Sequence, residues 1–195
     1  MNYLIQTIAT LGIVIALSGE VTLGLPAVYA QLSPAPTPQM SAAEYINRGD
    51  SLFAKQDYKA AIADYTQALA INPGNDYAYY NRGNAHRKLE DYKAAIADYT
   101  QALAINPENE YAYLYRGMAH SFLGEQQAAI ADYTQAIQIN PDNAALYLRR
   151  GEAFLALKDK QAAIKDYQKA VDLYKVQKET NSYNKTLGEL RKLRQ

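Results

Sequence analysis

The chain repeats itself at a spacing of 34 residues, and this periodicity restricts the folds that are open to it. Residues 57–73 read DYKAAIADYTQALAINP, and residues 91–107 read the same, letter for letter. Two related segments follow at the same spacing, EQQAAIADYTQAIQINP at 125–141 and DKQAAIKDYQKAVDL at 159–173. A period of this length is typical of solenoids, because one unit cannot bury its apolar face alone and must stack on its neighbours.

Single residue types also recur at this spacing and form columns. The columns are Tyr45, Tyr79, Tyr113 and Tyr147; Gly49, Gly83, Gly117 and Gly151; Ala61, Ala95, Ala129 and Ala163; Tyr65, Tyr99, Tyr133 and Tyr167; Ala68, Ala102, Ala136 and Ala170; and Pro73, Pro107 and Pro141. Their order resembles the tetratricopeptide repeat family over about residues 42–175. Two features depart from the family pattern: arginine replaces the leucine that usually precedes the glycine, and Lys175 replaces a fourth proline.

The resemblance implies an all-α fold, a right-handed superhelical solenoid of antiparallel helix pairs. The expected units are repeat 1 at 41–75, repeat 2 at 76–109, repeat 3 at 110–143 and repeat 4 at 144–177. Residues 178–195 are predicted to form a capping helix that covers the outer side of repeat 4. Its apolar positions fall at spacings of three and four, at Tyr183, Leu187, Leu190 and Leu193.

Polar residues at fixed places mark where the helices begin and end. The predicted N-caps are Asp57, Asp91 and Asp159 for second helices and Asn75, Asn109 and Asn143 for first helices. Ser41 and Glu44 have the spacing of a capping box for the opening helix. Each Asn-Pro pair predicts a helix end, because a residue before proline avoids helical angles.

Arginine and aspartate also recur with the repeat, one on each helix of a pair. We predict a structural ladder of partly buried ion pairs: Arg48 with Asp64, Arg82 with Asp98, Arg116 with Asp132 and Arg150 with Asp166. The sequence leaves open whether pairing occurs within a repeat or between adjacent repeats. Such pairs specify register more than they add stability.

Catalysis has no support in the sequence. The chain has no cysteine, and His86 and His120 are best interpreted as packed, hydrogen-bonded side chains between two helices. We find no phosphate-binding loop, nucleophile motif or metal motif, so no catalytic residue, metal or cofactor is predicted. A formal net charge of zero gives no general attraction to nucleic acid.

The first 40 residues differ in composition from the rest, because every lysine and arginine lies after position 47. Residues 4–17 form an uncharged, mostly apolar run, too short to span a bilayer. We predict a signal peptide at 1–30, cleaved after Ala30, and a proline-rich linker at 31–40. The protein is then exported, to a periplasm, a thylakoid lumen or the extracellular space. The alternative is an uncleaved leader, which would be the only link to a membrane.

The family resemblance implies that the first helix of each pair lines a concave groove that binds other polypeptides. The candidate groove residues are Tyr77, Tyr80, Asn81, Asn84, Arg87, Lys88, Tyr111, Leu114, Tyr115, Met118, Ser121, Phe122 and Arg149. Some family members grip a terminal carboxylate with lysine, asparagine and arginine side chains from three consecutive units. Here Ile46, Asp50, Tyr80 and Tyr115 occupy positions of that clamp, so a chaperone tail is not the expected ligand.

The sequence therefore predicts a non-enzymatic interaction module that binds an unidentified protein or peptide. Tyrosines supply rigid contact area, and Met118 can adapt to different shapes. An alternative for the tyrosines is that some of them pack between adjacent repeats. An alternative for the whole protein is a structural or self-associating helical domain in an envelope or thylakoid assembly.

Overall fold

The computed structural model describes residues 13–15, 21–23 and 40–195, in two separate units. In the N-terminal unit, strands β1 (Ile13–Ile15) and β2 (Val21–Leu23) pair antiparallel. The sequence analysis does not anticipate this strand pair. The rest of residues 1–39, including the predicted cleavage site after Ala30, lies outside the described residues.

Residues 40–195 form helices joined by short turns, which confirms the prediction of an all-α repeat domain. The helices are α1 (Ala42–Ala54), α2 (Tyr58–Ile71), α3 (Asp76–Lys88), α4 (Tyr92–Ile105), α5 (Glu110–Phe122), α6 (Gln126–Ile139), α7 (Ala144–Ala156), α8 (Lys160–Val176) and α9 (Thr180–Arg194). Among the described helices, none is both long enough and apolar enough to cross a bilayer.

The caps that the sequence predicts account for the helix boundaries. The Ser41 hydroxyl accepts from the Glu44 amide while Glu44 accepts from the Ser41 amide, so the capping box is confirmed. The predicted aspartate and asparagine N-caps likewise accept backbone N–H groups in the first turn of their helices. Repeat 3 is the exception, because Glu125 makes no side-chain cap to α6.

Each helix packs mainly on the helices before and after it in the chain. The pairs α1–α2, α3–α4, α5–α6 and α7–α8 are the hairpins, and α9 packs on α8. Successive first helices also contact each other, whereas successive second helices make no comparable contact within residues 40–195. The row of first helices is therefore the tighter, inner side of the curve. We call the surface of α1, α3, α5 and α7 the inner face.

The core of each hairpin is a tyrosine ring packed against a glycine. Tyr99 is fully buried, and a Cβ atom added to Gly83 would lie 2.9 Å from its ring. Tyr133 and Gly117 have the same arrangement, with a separation of 2.7 Å. The glycine column is thus explained by the close approach of the second helix, because a larger side chain would displace the ring.

Helix α9 closes the C-terminal end of the repeat domain. Leu190 is 1% exposed and packs with Tyr167 and Val171 of α8. Tyr183, Leu187 and Leu193 lie at the edge of the same cluster. Helix α9 thus packs where the sequence analysis expects a capping helix, and its exposed residues are mainly charged or amide side chains.

The buried tyrosines make the fold sensitive to alkaline pH. Burial raises the pKa of Tyr167 to about 12, and the carboxylates of Glu152 and Glu189 add to this effect. Because an unfolded tyrosine ionises near pH ~10, the folded state binds this proton more tightly and loses stability as pH rises from ~10 to about 12. Joint titration of tyrosinate absorbance and helical circular dichroism should show the late-ionising tyrosines titrating together with helix loss. Complete ionisation near pH ~10 with intact helices would contradict this.

Candidate functional site

The arginine–aspartate ladder fixes the orientation of each first helix against its partner. Arg116 donates through Nε and Nη2 to the two Asp132 carboxylate oxygens, at 3.0 and 2.7 Å. The same two-bond geometry joins Arg48 to Asp64, Arg82 to Asp98 and Arg150 to Asp166. Of the two pairings that the sequence leaves open, the structure forms the one within a repeat. All four carboxylates are buried.

A third bond of the ladder joins neighbouring repeats, and the sequence analysis missed it. Arg82 Nη1 donates to Thr66 Oγ1 of repeat 1, at 3.1 Å. Arg116 and Arg150 donate in the same way to Thr100 and Thr134, both at 3.0 Å. The signal was present as a threonine at positions 66, 100 and 134, which recurs with the repeat. The ladder therefore holds successive hairpins together as well as the two helices of each one.

The two histidines lie behind the ladder carboxylates. His120 Nδ1 is 2.6 Å from Glu125 Oε2, and its Nε2 is 3.9 Å from Asp132. His86 is placed similarly, 3.7 Å from Asp91 and 3.9 Å from Asp98. His120 therefore has a hydrogen-bonding role at the turn between two helices, whereas His86 packs there near two carboxylates without a side-chain hydrogen bond to the described residues.

Three tyrosines meet where repeats 2 and 3 adjoin on the inner face. The ring centroids of Tyr80, Tyr99 and Tyr115 lie 6.1–6.3 Å from one another. Arg87 covers this cluster, with its guanidinium carbon 4.6 Å from the Tyr115 centroid. Burial raises the pKa of Tyr80 and also that of Tyr99. The alternative that some tyrosines pack between repeats therefore describes Tyr80 and Tyr115.

Asn84 does not have the position that the sequence analysis expects. It is only 8% exposed, and its amide oxygen accepts the Tyr99 hydroxyl at 2.8 Å. The periodicity places Asn84 on the inner face, but the neighbouring tyrosine turns the amide into the hairpin core. Asn84 is thus a structural residue, and Asn81 beside it is only partly exposed.

The N-terminal ends of the first helices expose two tyrosines. Tyr77 is 50% exposed, and its hydroxyl donates to Asp50 of repeat 1 at 2.9 Å. Asp50 also accepts the Tyr65 hydroxyl at 2.7 Å, so one carboxylate ties repeats 1 and 2 together. Tyr111 is 53% exposed. These two rings offer apolar surface to a ligand, and the helices that carry them fix the positions of their backbones.

A cavity of about 270 Å³ opens on the inner face between α5 and α7. Its lining comprises Met118, Ser121, Phe122, Gln126, Tyr133, Arg149, Glu152, Ala153 and Ala156. Phe122 is 63% exposed and stacks on Tyr92 of repeat 2, with centroids 4.8 Å apart. Arg149 pairs with Glu152 at 2.9 Å, so its charge is compensated.

The structure divides the predicted groove residues by their exposure, with Asn84 buried and Ser121 partly buried. Tyr77, Tyr111, Phe122, Lys88 and Arg149 are exposed on the inner face. Tyr80, Asn81, Arg87, Leu114, Tyr115 and Met118 are partly buried. Sequence reasoning missed the part of the cavity lining that comes from α6 and α7: Gln126, Tyr133, Glu152, Ala153 and Ala156. Only the packing of three helices brings these positions together.

Comparison with protein families matches the repeats directly. Models described as tetratricopeptide repeat match residues 77–109 and 144–176, and a model described as TPR repeat matches 49–90 and 123–158. Together these matches span more than half of the chain. No curated protein sequence matches the chain.

Several solved structures share the architecture. A crystal structure of MamA is 23% identical with a TM-score of 0.69, over 71% of this chain and 81% of MamA. The first TPR of Spaghetti (RPAP3) bound to the HSP90 peptide SRMEEVD is 27% identical with a TM-score of 0.59, over 60% and 93%. The second TPR domain of human RPAP3 in complex with the HSP70 peptide SGPTIEEVD is 28% identical with a TM-score of 0.56, over 57% and 93%.

Proposed function

We propose, from the premise that this chain belongs to the tetratricopeptide repeat family, that it is a non-enzymatic module which binds a polypeptide segment along its inner face. Two solved structures with the same fold carry bound peptides, an HSP90 peptide in one and an HSP70 peptide in the other. The matching family models describe tetratricopeptide repeats, and none of them describes a catalytic family. A protein or peptide partner is therefore the expected ligand.

The observation that carries the proposal is the cavity between α5 and α7. Met118, Ala153 and Ala156 give it an apolar lining, and the exposed Phe122 ring stands at its rim. Removing a ligand's apolar side chain from water into such a site is favourable, by about 25 cal/mol per Å² of apolar surface. We infer that the cavity receives one apolar anchor residue of the bound segment.

The proposed ligand differs in kind from the HSP90 and HSP70 peptides in the two solved structures. Ile46 and Asp50 lie in repeat 1 where a terminal-carboxylate clamp needs lysine and asparagine. Asp50 is an anion already bonded to two tyrosine hydroxyls, so it would repel a terminal carboxylate. We therefore propose that the bound segment is internal to its own chain.

Replacing the rim aromatic tests this site. Phe122→Ala should weaken binding of a partner captured by the purified protein by about 1–3 kcal/mol, as loss of an aromatic contact at an interface does. The free protein should lose at most about 1.5 kcal/mol of stability, because Phe122 is mostly exposed and only its stack on Tyr92 is removed. Val176→Ala is the matched control, since Val176 is 79% exposed but lies outside the inner face. Isothermal titration of both variants gives the comparison, and equal affinities would reject the site.

The tyrosine variants that the sequence suggests are less informative. Tyr80→Ala and Tyr115→Ala should weaken capture, but they should also lower stability because both rings pack between repeats 2 and 3. A loss of binding in these variants therefore needs a parallel measurement of the free energy of unfolding.

We also propose that the protein is exported. The support is the uncharged apolar stretch at 4–17, followed by Val28 and Ala30 at the positions that signal peptidase reads. Mature protein should begin at Gln31, and intact-mass measurement on native material checks this. A mass that includes residues 1–30 would indicate an uncleaved leader and a membrane-anchored protein.

A further inference from the structure

Arg87 differs from the arginines around it. Each of the four ladder arginines has an aspartate within 3.0 Å, and Arg149 has Glu152 at 2.9 Å. Within residues 40–195, no carboxylate lies within 4.0 Å of Arg87. The side chain lies on the inner face, between repeats 2 and 3. It is therefore an uncompensated cation inside the proposed groove.

The surroundings of Arg87 withdraw it partly from water without replacing all its hydrogen bonds. Its guanidinium lies over the Tyr115 ring, and Tyr80 and Tyr99 flank that ring. The Nε group is buried and has no hydrogen-bond partner. Aromatic faces stabilise a cation, but a partly desolvated charge remains costly until an anion pairs with it. The site is thus arranged to gain from an incoming carboxylate.

The nearby groups fit an anion as well. Lys88, the next residue, is exposed and has no ion-pair partner in the described part of the chain. The Tyr80 phenol is protonated at neutral pH, as any ordinary tyrosine is, so it can donate a hydrogen bond, and burial raises its pKa further. A planar guanidinium held flat by an aromatic ring presents its N–H groups in the fixed geometry that a carboxylate accepts.

We propose that Arg87 binds an acidic side chain, aspartate or glutamate, of the polypeptide segment that occupies the inner face. This inference rests on the proposed function and adds the chemistry of one ligand position to it. A side chain is favoured over a chain terminus because ligand-accessible surface continues on both sides of Arg87. Tyr77 is exposed toward repeat 1, and the cavity opens toward repeat 4. A segment that continues past Arg87 in both directions can contact Tyr77 on one side and the cavity on the other.

The spacing between the two ligand positions follows from the helix packing. Arg87 acts where α3 meets α5, and the cavity lies where α5 meets α7. Packed helices lie about 8–10 Å apart, and an extended chain advances about 3.3 Å per residue. The acidic residue and the apolar anchor should therefore be about three residues apart in an extended ligand.

The test uses the full chain and an array of synthetic nonapeptides with both ends capped. Each peptide has a glutamate or a glutamine at its central position and one apolar residue at a defined number of positions from it. The remaining positions hold mixtures of amino acids. Wild type should retain glutamate peptides about tenfold more than glutamine peptides, most strongly at a separation near three residues. Arg87→Met should reduce this preference to within about twofold while the apolar preference stays.

Controls separate the possible explanations. Arg191→Met removes an exposed arginine of α9, outside the inner face, and it should keep the glutamate preference. Arg87→Gln serves as the second variant if Arg87→Met lowers helicity. A parallel array with free C-terminal carboxylates identifies a terminus as the occupant, and binding confined to that array would overturn the proposal.

The outcomes also distinguish failure of the Arg87 assignment from failure of the proposed peptide-binding function. Peptide binding without a glutamate preference, or with a preference that survives both Arg87 variants, overturns the Arg87 assignment alone. Absence of binding by every peptide would instead overturn the proposed function, and the Arg87 assignment with it. Loss of the glutamate preference in the Arg87 variants, with retained apolar selection, supports both.

Discussion

Asp132→Ala should lower the free energy of unfolding by about 3–5 kcal/mol, because it leaves the Arg116 guanidinium in a partly buried site without its counter-ion. Asp132 is 5% exposed and accepts two hydrogen bonds from Arg116. Arg116 has its remaining bond to Thr100 of the preceding repeat, so the loss should reach the contact between repeats 2 and 3. Chemical denaturation monitored by circular dichroism gives the free energy of unfolding of the variant and of wild type.

The double mutant decides whether this loss belongs to the pair. Arg116→Ala with Asp132→Ala should cost clearly less than the sum of the single losses, because neither charge is then left alone. Additive losses would show that the two residues act independently. Arg48→Ala provides an internal comparison, and its effect should be smaller, since the Arg48 side chain is 52% exposed and, within residues 40–195, it hydrogen-bonds to Asp64 but to no threonine.

Gly117→Ala and Gly188→Ala should change stability in opposite directions although both glycines are helical. A Cβ atom at Gly117 would lie 2.7 Å from the buried Tyr133 ring, so the ring must move. Such overpacking costs about 1–3 kcal/mol. At Gly188 nothing lies within 4 Å of the added atom, so alanine should stabilise α9 by about 0.5–1 kcal/mol through its helix propensity.

Melting temperatures and denaturation midpoints of the two variants provide the measurement. The free energies of unfolding should differ by about 3 kcal/mol between the variants, with wild type between them. If Gly117→Ala is as stable as Gly188→Ala, then close packing of tyrosine on glycine does not explain the glycine column.

The sequence predicts those features of the fold that recur with the period. The aspartate and asparagine caps and the arginine–aspartate pairs each depend on residues at fixed offsets within one hairpin. The final helix is predictable because Leu187 and Leu190 follow helical spacing. Within a hairpin, the number of residues between two positions determines how far apart they lie, so contacts there can be predicted from the sequence.

Features between hairpins were harder to anticipate. Periodicity shows that Asn84 and Arg87 lie on the inner face, but it does not show which way their side chains turn. In the structure Asn84 bonds to Tyr99, whereas Arg87 lies over Tyr115 of the next repeat. The stacking of Phe122 on Tyr92 also joins two repeats. These contacts depend on the angle between successive hairpins, which the repeat length alone does not specify.

The central claim is that the inner face binds a polypeptide, and site-directed photo-crosslinking tests it most directly. A photo-reactive benzoyl-phenylalanine replaces Phe122 on the inner face in one sample and the exposed Gln101 of α4 in another. After irradiation of the full chain in its native compartment, mass spectrometry identifies the adducts. The account predicts that position 122 crosslinks to a segment of another polypeptide and position 101 does not. Equal crosslinking at both positions, or crosslinking from position 101 alone, would contradict it.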